Sequence, residues 1–288
     1  MYRRQLSISE ACLSFLSANV NRYDQQLRNF IAVADRNESG SMSLLDEYRR
    51  QYAWRSWERA LSLCPVLPGQ HVLDLGCGPG DISAELSARG LSVLGIDGNA
   101  DLLSAAKSHH PECRFEKHDL ECLELTPAAY DGIWSSFTAA YFVNFEKTFA
   151  HWSSFLKPAA WVCVIDIDDL LGHKPLSEST ERKIAAFYED AAINGRYDFR
   201  IGGKIGSVLS GQGFKVTSVT LDDQELSFDG PASVDVVQAW KNRFARMGGL
   251  QAFFGREFPT FQDEFIRCIS ARNHRSFCNV VCSVGVRT

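Results

Sequence analysis

The stretch Val72-Leu-Asp-Leu-Gly-Cys-Gly-Pro-Gly80 has the residue types and spacing best suited to chemistry. Apolar residues that read as a buried strand run into a loop where Gly76, Gly78 and Gly80 remove every second side chain, with Cys77 between the first two. A backbone without Cβ atoms lets a ligand lie directly against it. Dinucleotide-binding loops also join a strand to a helix through glycines and seat a pyrophosphate on the helix amino terminus. Here the spacing is G-x-G-x-G, Asp81 stands where the third glycine of G-x-G-x-x-G belongs, and Asp74 precedes the loop. Carboxylates on both sides repel a pyrophosphate and suit a ligand that carries positive charge.

A second acid follows at a useful distance. Leu91-Ser-Val-Leu-Gly-Ile-Asp97 reads as a strand ending in a carboxylate, with Gly98 next. One carboxylate can accept from both hydroxyls of a ribose, a contact that an adenosyl ligand and NAD would share. Phe115-Glu-Lys-His-Asp119-Leu120, Tyr130-Asp-Gly-Ile-Trp-Ser-Ser-Phe137 and Phe155-Leu-Lys-Pro-Ala-Ala-Trp161 come after it in order.

With the loop, this ordered set resembles the class I, Rossmann-like family of S-adenosylmethionine-dependent methyltransferases, small-molecule type, over roughly residues 60 to 221 plus a final strand. The resemblance implies an α/β fold: a seven-stranded, mostly parallel sheet with its last strand antiparallel and helices on both faces. It implies S-adenosyl-L-methionine as cofactor and S-adenosyl-L-homocysteine as product. The residues it implies for the cofactor are Asp74, Gly76, Cys77, Gly78 and Gly80 of the first motif, Asp97 on the ribose with Gly98, Asp119 on the adenine amino group, Leu120 on the ring, and Ser135 of the fourth motif. Ala159 and Ala160 replace both glycines of the family's L-K-P-G-G turn, which puts the backbone of that turn in question. In similar enzymes an aromatic and an arginine from the helix before the sheet reach the methionine end of the cofactor, and Tyr52 and Arg55 stand at that place. The same stretch reads equally as Trp54 and Trp57 packing on the core with the arginines in water.

Methyl transfer asks the protein mainly to hold an acceptor in line and exclude water. A base, if one acts, belongs beyond the carboxyl ends of strands four or five, which points to Tyr141 and His173 as candidate catalytic residues. His274, Cys278 and Cys282 invite a metal reading. A strand over Ser276 to Val286 would hold the two cysteines about 13 Å apart, too far for shared tetrahedral ligation, so no metal is expected.

The elements that must position these residues follow from periodicity. Strands are predicted over His71 to Leu75, Ser92 to Ile96, Cys113 to Lys117, Asp131 to Ser135, Trp161 to Ile167, Lys215 to Leu221 and Ser276 to Val286. Helices are predicted between them over Asp81 to Arg89, Ala100 to Ser108, Phe145 to Leu156 and Gly202 to Gln212. Residues 1–68 read as a helical lid segment, with helices at Gln25 to Ala34 and Met42 to Leu63, ahead of a sheet domain over 69–288. Insertions at about 168–201 and 222–275 interrupt that domain, the second with helices at Ala232 to Met247 and Phe261 to Ala271 able to cap the strand ends.

Composition narrows the partners. Lys and Arg number 30 against 35 Asp and Glu, a net charge of -5, which gives no field for nucleic acid or anionic lipid. Polar residues interrupt the amino-terminal stretch that a signal peptide would need, no run is long enough to span a membrane, and the nine cysteines are too scattered for a disulfide scaffold. A cytoplasmic enzyme with a small-molecule methyl acceptor, off the membrane, is therefore expected. Two alternatives stay open. One is a protein or nucleic-acid methyltransferase, disfavoured by Ser135-Ser-Phe-Thr138 where many such enzymes carry Asp/Asn-Pro-Pro-Phe/Tyr. The other is a non-catalytic S-adenosylmethionine-binding module.

Overall fold

The structure, a computed structural model, describes residues 44–195 and 197–288. The helix predicted over Gln25 to Ala34 lies outside the described residues. Seven strands form one sheet: β1 (His71–Leu75), β2 (Ser92–Asp97), β3 (Arg114–Lys117), β4 (Tyr130–Ser136), β5 (Leu156–Asp168), β7 (Phe214–Leu221) and β9 (Asn279–Arg287), in the order β3-β2-β1-β4-β5-β9-β7. Neighbours among β1 to β5 pair in parallel, while β9 runs antiparallel to both β5 and β7. A separate two-stranded ribbon joins β6 (His173–Lys174) to β8 (Arg275–Ser276).

Both faces of the sheet are covered, and the strands show why. Trp161, Cys163, Ile165 and Ile167 enter one core, while the alternating Val162 and Val164 enter the other, all of them buried. Successive side chains of a strand point to opposite faces, so a run apolar at every position must be clothed on both sides. The clothing helices are α1 (Leu44–Ala53), α2 (Trp57–Leu63), α3 (Asp81–Ala88), α4 (Ala100–His109), α5 (Phe145–Ser153), α6 (Glu178–Ile193), α7 (Gly202–Gly211), α8 (Val234–Arg246), α9 (Gly248–Phe254) and α10 (Phe258–Ile269).

Strand order reverses between β1 and β4, since the chain proceeds outward from β1 through β2 and β3 and then returns to β1's other side. Loops at that point part and leave a crevice at the carboxyl ends of the strands.

Four local departures from periodicity have visible causes. The helix predicted over Met42 to Leu63 breaks at Trp54-Arg55-Ser56, because Arg55 donates from Nε to Asp223 Oδ2 at 3.0 Å and Trp54 accepts from the Gln224 amide at 3.1 Å. Helix α6 lies inside the insertion at 168–201, where no helix is predicted. Its signals are Ser177, whose Oγ accepts from the Thr180 amide, acids in the first turn, and buried Ile184, Phe187, Tyr188 and Ala191. The last predicted strand is two strands, β8 and β9, since the amides of Phe277 and Cys278 both turn to the Gly172 carbonyl, at 2.6 and 3.1 Å. Ala159 adopts a φ of 59°, the left-handed conformation that the family's glycine would take without strain.

His173 is a core residue and a correction to the catalytic expectation. It is 1% exposed, its Nδ1 lies 2.9 Å from His274 Nε2, and Trp240, Phe265 and Phe228 enclose its ring. Pairing with β8 turns β6 away from the crevice, so nearness to β5 in sequence does not bring the imidazole to the ligand side. Burial pushes its pKa down to about 3, with His274 adding to the effect. The folded pKa thus lies below the unfolded value near 6.5, so this stabilisation is present above pH 6.5 and is lost as pH falls toward 3. Asp74 and Asp166, both raised to about 7, act with the opposite sign and are common to any His173 variant. His173→Phe should move the acid-unfolding midpoint to lower pH, checked by circular dichroism against the parent. An unmoved midpoint would contradict the neutral, buried imidazole.

Candidate active site

The crevice is built around the turn from β1 into α3. Gly76 has φ +79°, and a Cβ there would sit 2.0 Å from Thr138 Oγ1 in the loop after β4. Gly78 has φ +52°, and its Cβ would meet nothing within 4 Å. The first glycine lets two loops of the switch point touch, and the second leaves an open backbone edge on the cavity.

Asp97 closes the same edge from the end of β2. Its Oδ2 accepts from the Gly78 amide at 2.9 Å and its Oδ1 from the Asn99 amide at 2.7 Å. Burial raises its pKa and these amides oppose the rise. Each carboxylate oxygen has a further lone pair for a ligand hydroxyl.

Gly76, Cys77, Gly78, Asp97, Tyr52 and Arg55 all line one cleft, together with Tyr141. Arg55 is held by Asp223 and by Gln51 Oε1 at 3.2 Å, and its guanidinium lies 3.8 Å from the centroid of the Phe137 ring. Trp57 is buried and stacks on Tyr52 with ring centroids 5.7 Å apart. Packing of the tryptophan and exposure of Tyr52 and Arg55 to the cleft therefore occur together.

Other predicted cofactor residues lie beside the cleft without lining it. Asp74 is 1% exposed and accepts from Ser83 Oγ at 2.6 Å, and burial raises its pKa to about 7, with Asp97 a smaller contribution. The acids facing the cavity on this side are Asp81 and Asp97, which corrects the charge argument drawn from Asp74. Gly80 packs against Phe115, and Ser135 is buried and donates to the Leu75 carbonyl at 2.8 Å, tying β4 to β1. Gly98 and Asp119 fall outside the lining, and Asp119 Oδ1 accepts from the Glu121 amide at 2.9 Å. Leu120 is fully buried among core residues, while Leu102 of α4 supplies the apolar contact to the cleft.

The far end of the cleft is formed by residues that periodicity alone does not single out: Tyr48, Tyr197, Arg243, Arg246 and Met247, next to Tyr141. Tyr141 and Tyr197 meet edge to face at 5.1 Å. Burial raises the pKa of Tyr48 to about 12 and pushes Tyr141 and Tyr197 well up, so all three keep their O–H protons at neutral pH. Asp166, fully buried at the end of β5, accepts from the amides of Ala140 and Ile167 at 3.1 and 2.8 Å and so fixes the turn that carries Tyr141. Counted with its open mouth, the crevice encloses about 1430 Å³ of space between these residues. Among the described residues no group of three or more metal-ligating side chains is placed to hold an ion, and no helix is long and apolar enough to cross a membrane.

Comparison with known proteins agrees with this geometry. Residues 72–159, which carry the glycine turn and Asp97, match the family described as methyltransferase domain. The match is to this segment, which is under half of the chain. A trans-aconitate 2-methyltransferase of Delftia acidovorans is 30% identical over 139 residues, 46% of this chain and 52% of that protein. A malonyl-acyl-carrier-protein O-methyltransferase of Pectobacterium atrosepticum is 27% identical over 114 residues, 40% and 45% of the two chains. The chain thus spans about half the length of these curated relatives. A solved Haemonchus contortus phosphoethanolamine N-methyltransferase 2, in complex with S-adenosyl-L-methionine, superposes with a TM-score of 0.54 at 18% identity, over 90% of this chain and 60% of that one. That likeness is one of fold.

Proposed function

We propose that the chain is an S-adenosylmethionine-dependent methyltransferase acting on a small-molecule acceptor, working off the membrane in the cytoplasm. The observation that carries this reading is the meeting, at one switch-point cleft, of the open Gly76–Gly78 backbone with the Asp97 carboxylate. Asp97 is set to take the ribose hydroxyls, the glycine backbone to lie along the adenosyl-methionine junction, and Tyr52 and Arg55 to take the methionine end, with the guanidinium on its carboxylate. When bound, the cofactor supplies a methyl group already activated by a sulfonium. The relatives' names support small carboxylic acids or their carrier conjugates as a substrate neighbourhood. The described cysteines are free thiols, which supports a reducing compartment. Helix α1 lines the cleft through Tyr48 and Tyr52, which supports the lid role of the segment before residue 69.

Tyr141 is a donor that orients the acceptor, because its raised pKa keeps it from acting as a phenolate base. Tyr141→Phe should lower kcat/KM about tenfold, the scale of one lost hydrogen bond, with the shape of the pH profile unchanged. Transfer of labelled methyl groups measures both; a lost basic limb in the variant's profile would make Tyr141 the base after all. Calorimetry tests the cofactor itself: saturable binding of S-adenosylmethionine and none of NAD is the expected result, and the reverse preference would overturn the reading.

A further inference from the structure

Arg243 and Arg246 stand one helical turn apart at the end of α8, and both line the far end of the cleft. Each is fixed by a carboxylate. Arg243 donates from Nε and Nη2 to Glu225 Oε1, at 3.2 and 2.7 Å, and Arg246 pairs with Glu47. Glu225 is 1% exposed and stands behind the lining, so it anchors Arg243 from the protein side and leaves Nη1 outside that pair. The hydroxyls of Tyr48, Tyr141 and Tyr197 belong to the same end of the cavity.

This end of the cleft is therefore furnished with donors. No lysine or histidine lines it among the described residues. Of the three acids that line the cleft, Glu47 is committed to Arg246 and to Gln51 Nε2 at 2.9 Å, while Asp81 and Asp97 stand by the glycine turn, Asp97 holding loop amides. Guanidiniums whose neighbouring carboxylate is already paired suit a ligand that brings its own lone pairs and negative charge. We propose that the methyl acceptor is a small organic acid whose ionised carboxylate is held by Arg243 and Arg246. The proposal rests on the methyltransferase reading of the cleft. An acid with a pKa near that of Asp or Glu, about 4, is already ionised at neutral pH, so one carboxylate oxygen would form the O–CH3 bond as the S–CH3 bond breaks and S-adenosylhomocysteine leaves, with no proton to remove. Tyr48, Tyr141 and Tyr197 line the same cleft with their O–H protons in place, so none of them adds negative charge beside the acid.

The test is calorimetric titration of malonate, citrate and phenylacetate into protein saturated with S-adenosylhomocysteine, with malonamide as the neutral control. At least one acid should bind saturably while malonamide does not. Arg243→Met with Arg246→Met should weaken that acid at least tenfold and leave S-adenosylhomocysteine affinity unchanged. Because methionines there strand two carboxylates, a second variant adds Glu225→Gln and Glu47→Gln and should show the same loss. Equal binding of acid and amide, binding of no acid, or acid binding that survives both variants would overturn the proposal while retained S-adenosylhomocysteine binding leaves the methyltransferase reading intact. Failure of the parent protein to bind S-adenosylhomocysteine removes both.

Discussion

Asp97→Asn is expected to weaken S-adenosylmethionine binding by about 10- to 100-fold, the equivalent of one charged hydrogen bond of roughly 1.5–3 kcal/mol. The carboxylate has two duties. It accepts from the Gly78 and Asn99 amides, which sets the glycine turn against the start of α4, and its remaining lone pairs face the cleft. Asparagine keeps the shape but has one acceptor atom in place of two, and its NH₂ group meets an amide that also donates. The variant should fold, since Asp97 pays a burial cost that asparagine lacks. Calorimetry on folded variant and parent measures the change; equal affinities would remove Asp97 from the ribose role.

Gly76→Ala should destabilise the protein by about 3 kcal/mol, combining a positive-φ cost of about 1–2 kcal/mol with overpacking of similar size. The added methyl would lie 2.0 Å from Thr138 Oγ1 and 2.7 Å from its Cγ2, so the loops after β1 and β4 would have to part. Gly78→Ala is the contrasting case. Nothing lies within 4 Å of its added methyl, so its stability cost is only about 1 kcal/mol, whereas its methyl projects where the ligand would lie. One glycine should therefore fail in urea unfolding and the other in cofactor titration. Thr138→Ala should recover part of the Gly76→Ala loss, a non-additivity expected of two groups in contact. Equal unfolding midpoints for the two single variants would contradict this division of roles.

The cofactor half of the cleft was readable because its constraints are local. A glycine turn, a strand-terminal acid and their spacing are fixed within the 26 residues from Val72 to Asp97, and sheet order brings them together with no further information. Side-chain direction was not readable in the same way. Asp74 and Asp97 both stand near the carboxyl ends of strands, but Asp74 points into the interface with α3 while Asp97 points to the cleft. The Arg243 and Arg246 end is not legible in the sequence because it is assembled from distant segments: Arg55 meets Asp223 across 168 positions, and Arg243 and Arg246 read in isolation as the polar face of an amphipathic helix. His173 failed for a related reason. Its neighbours Trp240, Phe265 and His274 come from the second insertion, and only tertiary packing reveals that they enclose it.

A crystal structure of the protein soaked with S-adenosylhomocysteine tests the central claim most directly. The account predicts the ribose hydroxyls on the Asp97 carboxylate, the adenosyl-amino acid chain along Gly76 to Gly78, and the thioether sulfur turned toward Tyr141 and the arginine pair. An adenosyl group bound elsewhere, or a sulfur facing away from the Tyr141, Arg243 and Arg246 end, would contradict it.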